Sequence, residues 1–294
     1  MPWWGYLLIG IGAFLILSYV IATPLIANMV VDKFGYPKFK NKEPIDASPL
    51  KREKIVFKMP DGYEIHGDIS LNNPRKFIIC CHGHGSNSNR AVKYGKMYYS
   101  LGYSIVLYDA RSHGDNVRSQ VTMGYQEAKD LNNIINIIKD LYGKDIEISL
   151  HGVSMGAVTS LLCTQYRQDI SFIVADCPFA SLDLFLKDVI RKHQPVFTIY
   201  WLIKILFKHK FHYEVKDVAP LEVVKNNDIP VLFIHGAEDH FIKLYHQKRI
   251  ADNQKGYKKV IQIPHAGHGD SFNTNPRLYQ EEIVSFIKEL ARVE

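Results

Sequence analysis

The chain has 294 residues, 47% of them apolar and 22% charged, with a formal net charge of +6. That is enough apolar material for one sizeable core plus an appendage, and it argues against two equal domains. The small positive excess suits an anionic surface or substrate; with no basic tail and no nucleic-acid motif, a dedicated nucleic-acid binder is set aside.

The first element is the strongest compositional break. From Trp3 to Val31 there is no charged side chain, a run long enough to cross a hydrocarbon core of about 30 Å as a helix. Trp3, Trp4 and Tyr6 fall where an interfacial aromatic belt would lie. A cleaved leader fits less well, because no basic n-region precedes the run and the run is too long; Ala22-Thr23 and Ala27-Asn28 are weak cleavage points. Lys33, Lys38, Lys40 and Lys42 follow it and no Lys or Arg precedes it, so the positive-inside rule favours a single-pass protein with its body on the cytoplasmic side, an extracellular body being the alternative. Residues 1–31 are therefore expected to form a transmembrane anchor and the polar, proline-containing residues 32–53 a juxtamembrane linker.

Beyond the linker, short β-rich runs alternate with helix-period segments, the pattern of a mostly parallel sheet with crossover helices on both faces. "KIVFKM" and "YEIHGDI", joined around Asp61-Gly62, read as an antiparallel hairpin. Continuous apolar strands are expected at Phe77–Cys81, Ser104–Tyr108, Ile146–Leu150, Phe172–Ala175, Val231–Ile234 and Val260–Ile263. Helices are expected near Ala91–Leu101, Tyr125–Leu141, Met155–Arg167, Tyr245–Asn253 and Leu278–Arg292. The rhythm breaks between Asp176 and Val231, where about fifty residues are too many for a simple crossover. Residues 181–215 of this stretch carry two helical patterns divided at Pro195, rich in aromatics, Lys and Arg. They read as a helical cap inserted into a domain of residues 54–294: a lid, a substrate-binding cap, a membrane-contacting face or plain core.

Four cysteines, Cys80, Cys81, Cys163 and Cys177, sit in apolar runs without disulfide spacing and read as buried thiols. "CCHGHG" at Cys80–Gly85 looks like a metal cluster, but neighbouring strand residues point to opposite faces, so Cys80 and Cys81 cannot converge on one ion. No metal or organic cofactor is expected.

The chemistry begins at Gly152-Val153-Ser154-Met155-Gly156, a G-x-S-x-G between an apolar strand and a helix of small residues. That strand–turn–helix context is the one a nucleophile elbow requires, with the serine oxygen held at the sheet's carboxyl edge beside a helix N-terminus. A serine hydroxyl needs a base, and the base a carboxylate. Asp239 follows the strand ending at Ile234 and His268 follows the strand ending at Ile263, which gives the order serine, acid, histidine. Asp176 is the rival acid and His265 the rival base, while Glu238 and Asp270 fit those roles less well. His113, His151 and His235 each precede a glycine at or beyond a strand end and read as turn or supporting residues.

Taken together, "HGHGSN", "YDARSHGDN", "HGVSMG", "HGAEDHFI" and "HAGHGD" resemble the α/β-hydrolase superfamily from about Ile55 to the C-terminus, and within it the membrane-anchored BEM46-like and related esterase- or peptidase-like groups. The resemblance implies an α/β-hydrolase fold and a Ser154–His268–Asp239 triad, with backbone N–H groups of His84 and Met155 as the oxyanion hole and Asp109 and Arg111 as loop-tying residues. The expected function is a membrane-anchored serine hydrolase of carboxylic ester, thioester or small amide bonds, acting on a small acyl ester or a lipid-like substrate. A serine peptidase, an acyltransferase of the same fold and a non-catalytic membrane-tethered binding protein are the alternatives.

Overall fold

The computed structural model describes residues 2–37, 47–191 and 196–292; Lys38, Lys40, Lys42 and Pro195 lie outside them. The chain opens with helix α1 (Trp3–Gly35). Its first two-thirds is exposed and apolar. From Thr23 onward one stripe, Thr23, Ala27, Val31 and Phe34, is buried against the rest of the protein, the i, i+4 spacing of a helix face. The helix thus runs four residues past the expected anchor boundary, because Phe34 has a packed site waiting for it.

Eight strands form one sheet: β1 (Glu53–Lys58), β2 (Glu64–Ser70), β3 (Lys76–Cys81), β4 (Ser104–Tyr108), β5 (Glu147–Val153), β6 (Ile173–Asp176), β7 (Val231–Gly236) and β8 (Lys258–Ile263). Their order is β1-β2-β4-β3-β5-β6-β7-β8. The β1–β2 hairpin pairs antiparallel to β4, and the remaining neighbours are parallel. The crossovers are helices α2 (Ser88–Ser100), α3 (Tyr125–Tyr142), α4 (Met155–Cys163) and α8 (Tyr245–Asn253). The long stretch before β7 holds α5 (Leu182–Arg191), α6 (Val196–Phe211) and the short α7 (Pro220–Val223); α9 (Ser271–Thr274) and α10 (Pro276–Leu290) close the chain.

Two apolar clusters cover the two faces of the sheet. Ile78 and Cys80 pack with Val92 and Tyr98 of α2 and Ile283 and Phe286 of α10. Phe77, Ile79 and Cys81 pack with Leu131 of α3, Leu161 of α4, Phe185 of α5 and Phe207 of α6. Cys80 and Cys81 therefore do point apart, as strand alternation requires.

The expected strands are all present, with shifted ends. β5 runs three residues further than the apolar pattern suggested, because Ile148 through Val153 keep pairing with β3 and β6 up to the threshold of Ser154. The helix after Ser154 stops at Cys163 instead of Arg167, where Thr164 Oγ1 turns back onto the carbonyl of Leu161. Residues 32–35, assigned to the linker by composition, are helical, and Phe34 and Gly35 among them are buried.

Candidate active site

Gly152, Ser154 and Gly156 make a tight strand-to-helix turn between β5 and α4. Ser154 sits at φ 55°, ψ −116°, a conformation costing on the order of 1–3 kcal/mol that surrounding structure must hold in place. The flanking glycines are obligatory. A Cβ at Gly152 would lie 2.3 Å from the carbonyl oxygen of Gly156, and one at Gly156 would lie 2.1 Å from that of Cys81. The turn is fixed from below as well: the Ser154 N–H donates to the carbonyl of Asp176 at 2.8 Å. Met155 then begins α4, so its N–H belongs to the first turn, which lacks intrahelical acceptors.

His268 arrives on the loop after β8. Its Nε2 accepts from Ser154 Oγ at 2.9 Å and its Nδ1–H donates to Asp239 Oδ2 at 2.7 Å. Asp239 is fully buried, and its other oxygen, Oδ1, accepts the N–H groups of Phe241 and Ile242 at 2.9 and 2.8 Å. Burial alone would raise its pKa, but hydrogen bonds from His235 and His268 and the His268 charge outweigh it and hold the carboxyl well below the usual carboxylate range. His235 Nε2–H donates to the carbonyl of Ile242 at 2.7 Å and stands 3.3 Å from Asp239 Oδ2. It supports the acid, as a residue at the strand end can.

The rivals lie elsewhere. Asp176 is buried beneath Ser154, where Ser271 Oγ and the Tyr279 hydroxyl donate to it at 3.0 and 3.2 Å; burial pushes its pKa up to about 6. His151 lies between the hydroxyls of Tyr98 and Tyr279. His265 is exposed and bonds Glu238 at 2.9 Å. Asp270 is exposed, with Asn273 Nδ2 donating to it at 2.8 Å.

Opposite Met155 stands the β3–α2 loop. A Cβ on Gly83 would come 3.4 Å from Ser154 Cβ, so this loop and its next residue, His84, border Ser154. Two histidine side chains brace it. Ala110 N–H donates to His82 Nε2 at 2.9 Å, and Gly85 N–H donates to His113 Nε2 at 3.1 Å. The His84 ring reaches the other way: its Nε2–H donates to the carbonyl of Phe34, in the last turn of α1, at 2.8 Å. Burial lowers the pKa of His84, against the opposing effect of its bond to Phe34. Asp109 accepts the N–H groups of Ser88 and Asp115 at 2.7 and 3.0 Å, and Arg111 pairs with Asp130 at 2.6 Å. Both tie loops, in keeping with the expectation.

A cleft of about 910 Å³ opens over Ser154, bordered by His84, Arg90, Lys93, Tyr94, His268 and Asn273. Among the described residues, none of α5 or α6 borders it. The inserted helices stand behind the opposite side, where Phe34 packs on Phe185 (5.5 Å), Phe185 on Phe241 (5.3 Å) and Phe241 on the His268 ring (4.9 Å). Sequence reasoning did not single out Lys93; a lysine on an amphipathic helix carries no signal until the cleft is known.

Cys177 Sγ, an Asp239 carboxylate oxygen and a His268 ring nitrogen lie within 4.8 Å of one another, the one such trio of possible metal ligands among the described residues. The Asp239 and His268 atoms are already joined by a hydrogen bond, a proton-relay arrangement.

An eight-stranded sheet with one antiparallel edge, and a serine on a strained strand-to-helix turn at its carboxyl edge, define an α/β-hydrolase. Residues 72–218, half of the chain, match the family described as "Serine aminopeptidase, S33", and the chain is 30% identical over 245 residues to YqkD of Bacillus subtilis (strain 168), covering 81% of this chain and 80% of that one. It belongs to this family of hydrolases. YfhR of Escherichia coli (strain K12) is 23% identical over 286 residues, with 93% of each chain covered. Among solved structures, the Pyrococcus furiosus esterase Pf2001 superposes with a TM-score of 0.69 at 21% identity, over 88% of this chain and 98% of its own. Est1E from Butyrivibrio proteoclasticus, solved with ferulic acid, gives 0.65 at 16%, over 81% and 99%. At these identities the two structures speak for the fold.

Proposed function

We propose that the protein is a membrane-anchored serine hydrolase of carboxylic esters. One observation carries this reading: the hydrogen-bonded line Ser154 Oγ, His268, Asp239, with the serine in an elbow conformation. Ser154 Oγ attacks the acyl carbon as His268 Nε2 takes its proton, and Asp239 stabilises the imidazolium. The N–H groups of His84 and Met155 hold the oxyanion, each worth on the order of 3 kcal/mol in comparable sites. His268 returns the proton to the leaving alkoxide, then activates a water whose attack on the acyl-enzyme releases the acid and regenerates Ser154. Thioesters and small amides are open to the same steps. Peptide hydrolysis is the second reading, favoured by the family's description.

The anchor in this proposal is α1. The stretch before Thr23 is exposed and apolar, about 30 Å long at a helical rise, the thickness of a hydrocarbon core. Lys33, at the far end, supports a cytoplasmic catalytic domain. The anchor together with the hydrolase motifs also supports placing the chain with the BEM46-like group.

A fluorophosphonate probe tests the core of the proposal. Wild type is expected to label and Ser154→Ala to stay unlabelled; an unlabelled wild type, or equal labelling of both, overturns it. An ester panel run beside p-nitroanilides separates esterase from peptidase.

A further inference from the structure

The cleft over Ser154 holds two cations without acidic partners. Lys93 and Arg90 stand three residues apart on α2 and both border the cleft; that spacing puts them on one helix face. Lys93 is half-buried. Its Nζ lies 5.0 Å from the ring centre of Tyr94 and 5.3 Å from that of Phe272, and donates to Asn273 Oδ1 at 2.9 Å. Among the described residues no carboxylate lies within ion-pair distance of Lys93 or Arg90. An ammonium has three donors, and Lys93 uses one.

Burial of Lys93 disfavours its charge, while Asp176 and Asp270 favour it from further off. Asp270 is the acid on the cleft itself, and it is engaged by Asn273 and Thr274. Of the residues that border the cleft, two cations, Lys93 and Arg90, stand against one carboxylate, Asp270. A partly desolvated cation with free donors is the arrangement that gains most from an anionic oxygen ligand, since charge-assisted hydrogen bonds strengthen as water is excluded.

We propose that the substrate bears an anionic group, a carboxylate or a phosphate, which Lys93 and Arg90 bind while its ester carbonyl lies on Ser154. This rests on Ser154 being the nucleophile and adds the substrate class. The anion can belong to the acyl part or to the alcohol, and the test has an arm for each.

The full-length protein is assayed in detergent with two matched pairs: the mono-p-nitrophenyl ester of glutarate against p-nitrophenyl pentanoate, and butyryloxyphenyl phosphate against phenyl butyrate. Wild type is expected to prefer the anionic member of at least one pair, the pair naming the side that carries the charge. Lys93→Met should then raise KM for that anionic ester about tenfold more than for its neutral partner, Lys93→Arg should keep most of the preference, and Arg90→Met should lose less than Lys93→Met. The preference should also shrink as salt rises. Where turnover is too slow, protection of Ser154 from the fluorophosphonate by the same pairs reads the same discrimination. A probe-labelled Ser154 with no preference in either pair, or a Lys93→Met loss equal for anionic and neutral esters, overturns the inference and leaves the hydrolase proposal standing. Absence of labelling overturns the hydrolase proposal itself.

Discussion

The two sides of Ser154 are built from opposite materials. On one side an aromatic file, Phe34, Phe185 and Phe241, runs from the last turn of α1 to the ring of His268. On the other, α2 and the loop after β8 leave an open cleft bordered by Arg90, Lys93, Asp270 and Asn273. The closed side fixes geometry: it holds the His268 ring edge-on to Phe241 and, through the Phe34 carbonyl, the His84 ring of the β3–α2 loop. The open side is left to select what enters. An inserted aromatic segment near Ser154 invites a role in substrate binding, yet here Phe185 of α5 packs between Phe34 of α1 and Phe241.

If that division holds, the largest loss should come from the closed side. Asp239→Asn should lower kcat by on the order of 10³–10⁴, since the amide no longer fixes the histidine tautomer or its charge. Asp176→Asn should cost far less, and the reverse ranking would reassign the acid.

Asp176, under the open side, should reveal itself in stability. Burial raises its folded pKa to about 6, above the ordinary value of an aspartate. Near pH 4 and below, the proton is on in both states and the buried carboxyl costs little. As pH rises toward about 6 the unfolded chain ionises first, so wild type loses up to about 3 kcal/mol from this group. Denaturant melts of Asp176→Asn relative to wild type should therefore improve between about pH 4 and about pH 6.5; a flat difference would show that Asp176 ionises normally.

Next comes the tie between α1 and the β3–α2 loop, which carries the proposed oxyanion donor His84. His84→Ala should lower kcat about tenfold with a smaller change in KM, because a floppy loop weakens oxyanion binding in the transition state. His84→Gln, which can still reach the Phe34 carbonyl with an N–H, should recover part of that loss. A drop in melting temperature with kcat intact would make the tie structural only.

The smallest effect is spectroscopic. Trp201 on α6 is 63% exposed and shares its helix surface with the exposed Lys204 and Lys208, an arrangement suited to a membrane interface. With Trp3 and Trp4 replaced by Phe, Trp201 is the one remaining tryptophan. In proteoliposomes its emission should shift to the blue and be quenched by shallow brominated lipids; quenching by aqueous iodide alone would put α6 away from the bilayer.

The class of fold was readable because parallel strands covered on both faces must be continuously apolar, and six such runs stand between helical segments. That Ser154, Asp239 and His268 would lie at one edge of the sheet was readable because each follows a strand, where parallel sheets gather their loops. Strand and helix ends were less so: Ile148–Val153 continues pairing past the apolar run, and Phe34 extends α1 for a contact made with Phe185 of α5 and His84 of the β3–α2 loop. Lys93 was missed for the same reason, its partner Asn273 lying far along the chain.

The amino-acid sequence by itself determined the apolar N-terminal helix, the alternating architecture, and the elbow whose two glycines permit Ser154 its strained turn, all of which depend on local periodicity and backbone sterics. Only the tertiary structure decided how close His268 comes to Ser154 and Asp239, that Phe185 of the inserted helices packs against Phe34 and Phe241, and that Lys93 stands in that cleft bonded to Asn273. Those facts depend on which distant surfaces touch, and contact between distant surfaces is set by packing. The stretch His82–Gly85 shows both sides: its glycines follow from the turn, while the reach of His84 to α1 exists only in the folded protein.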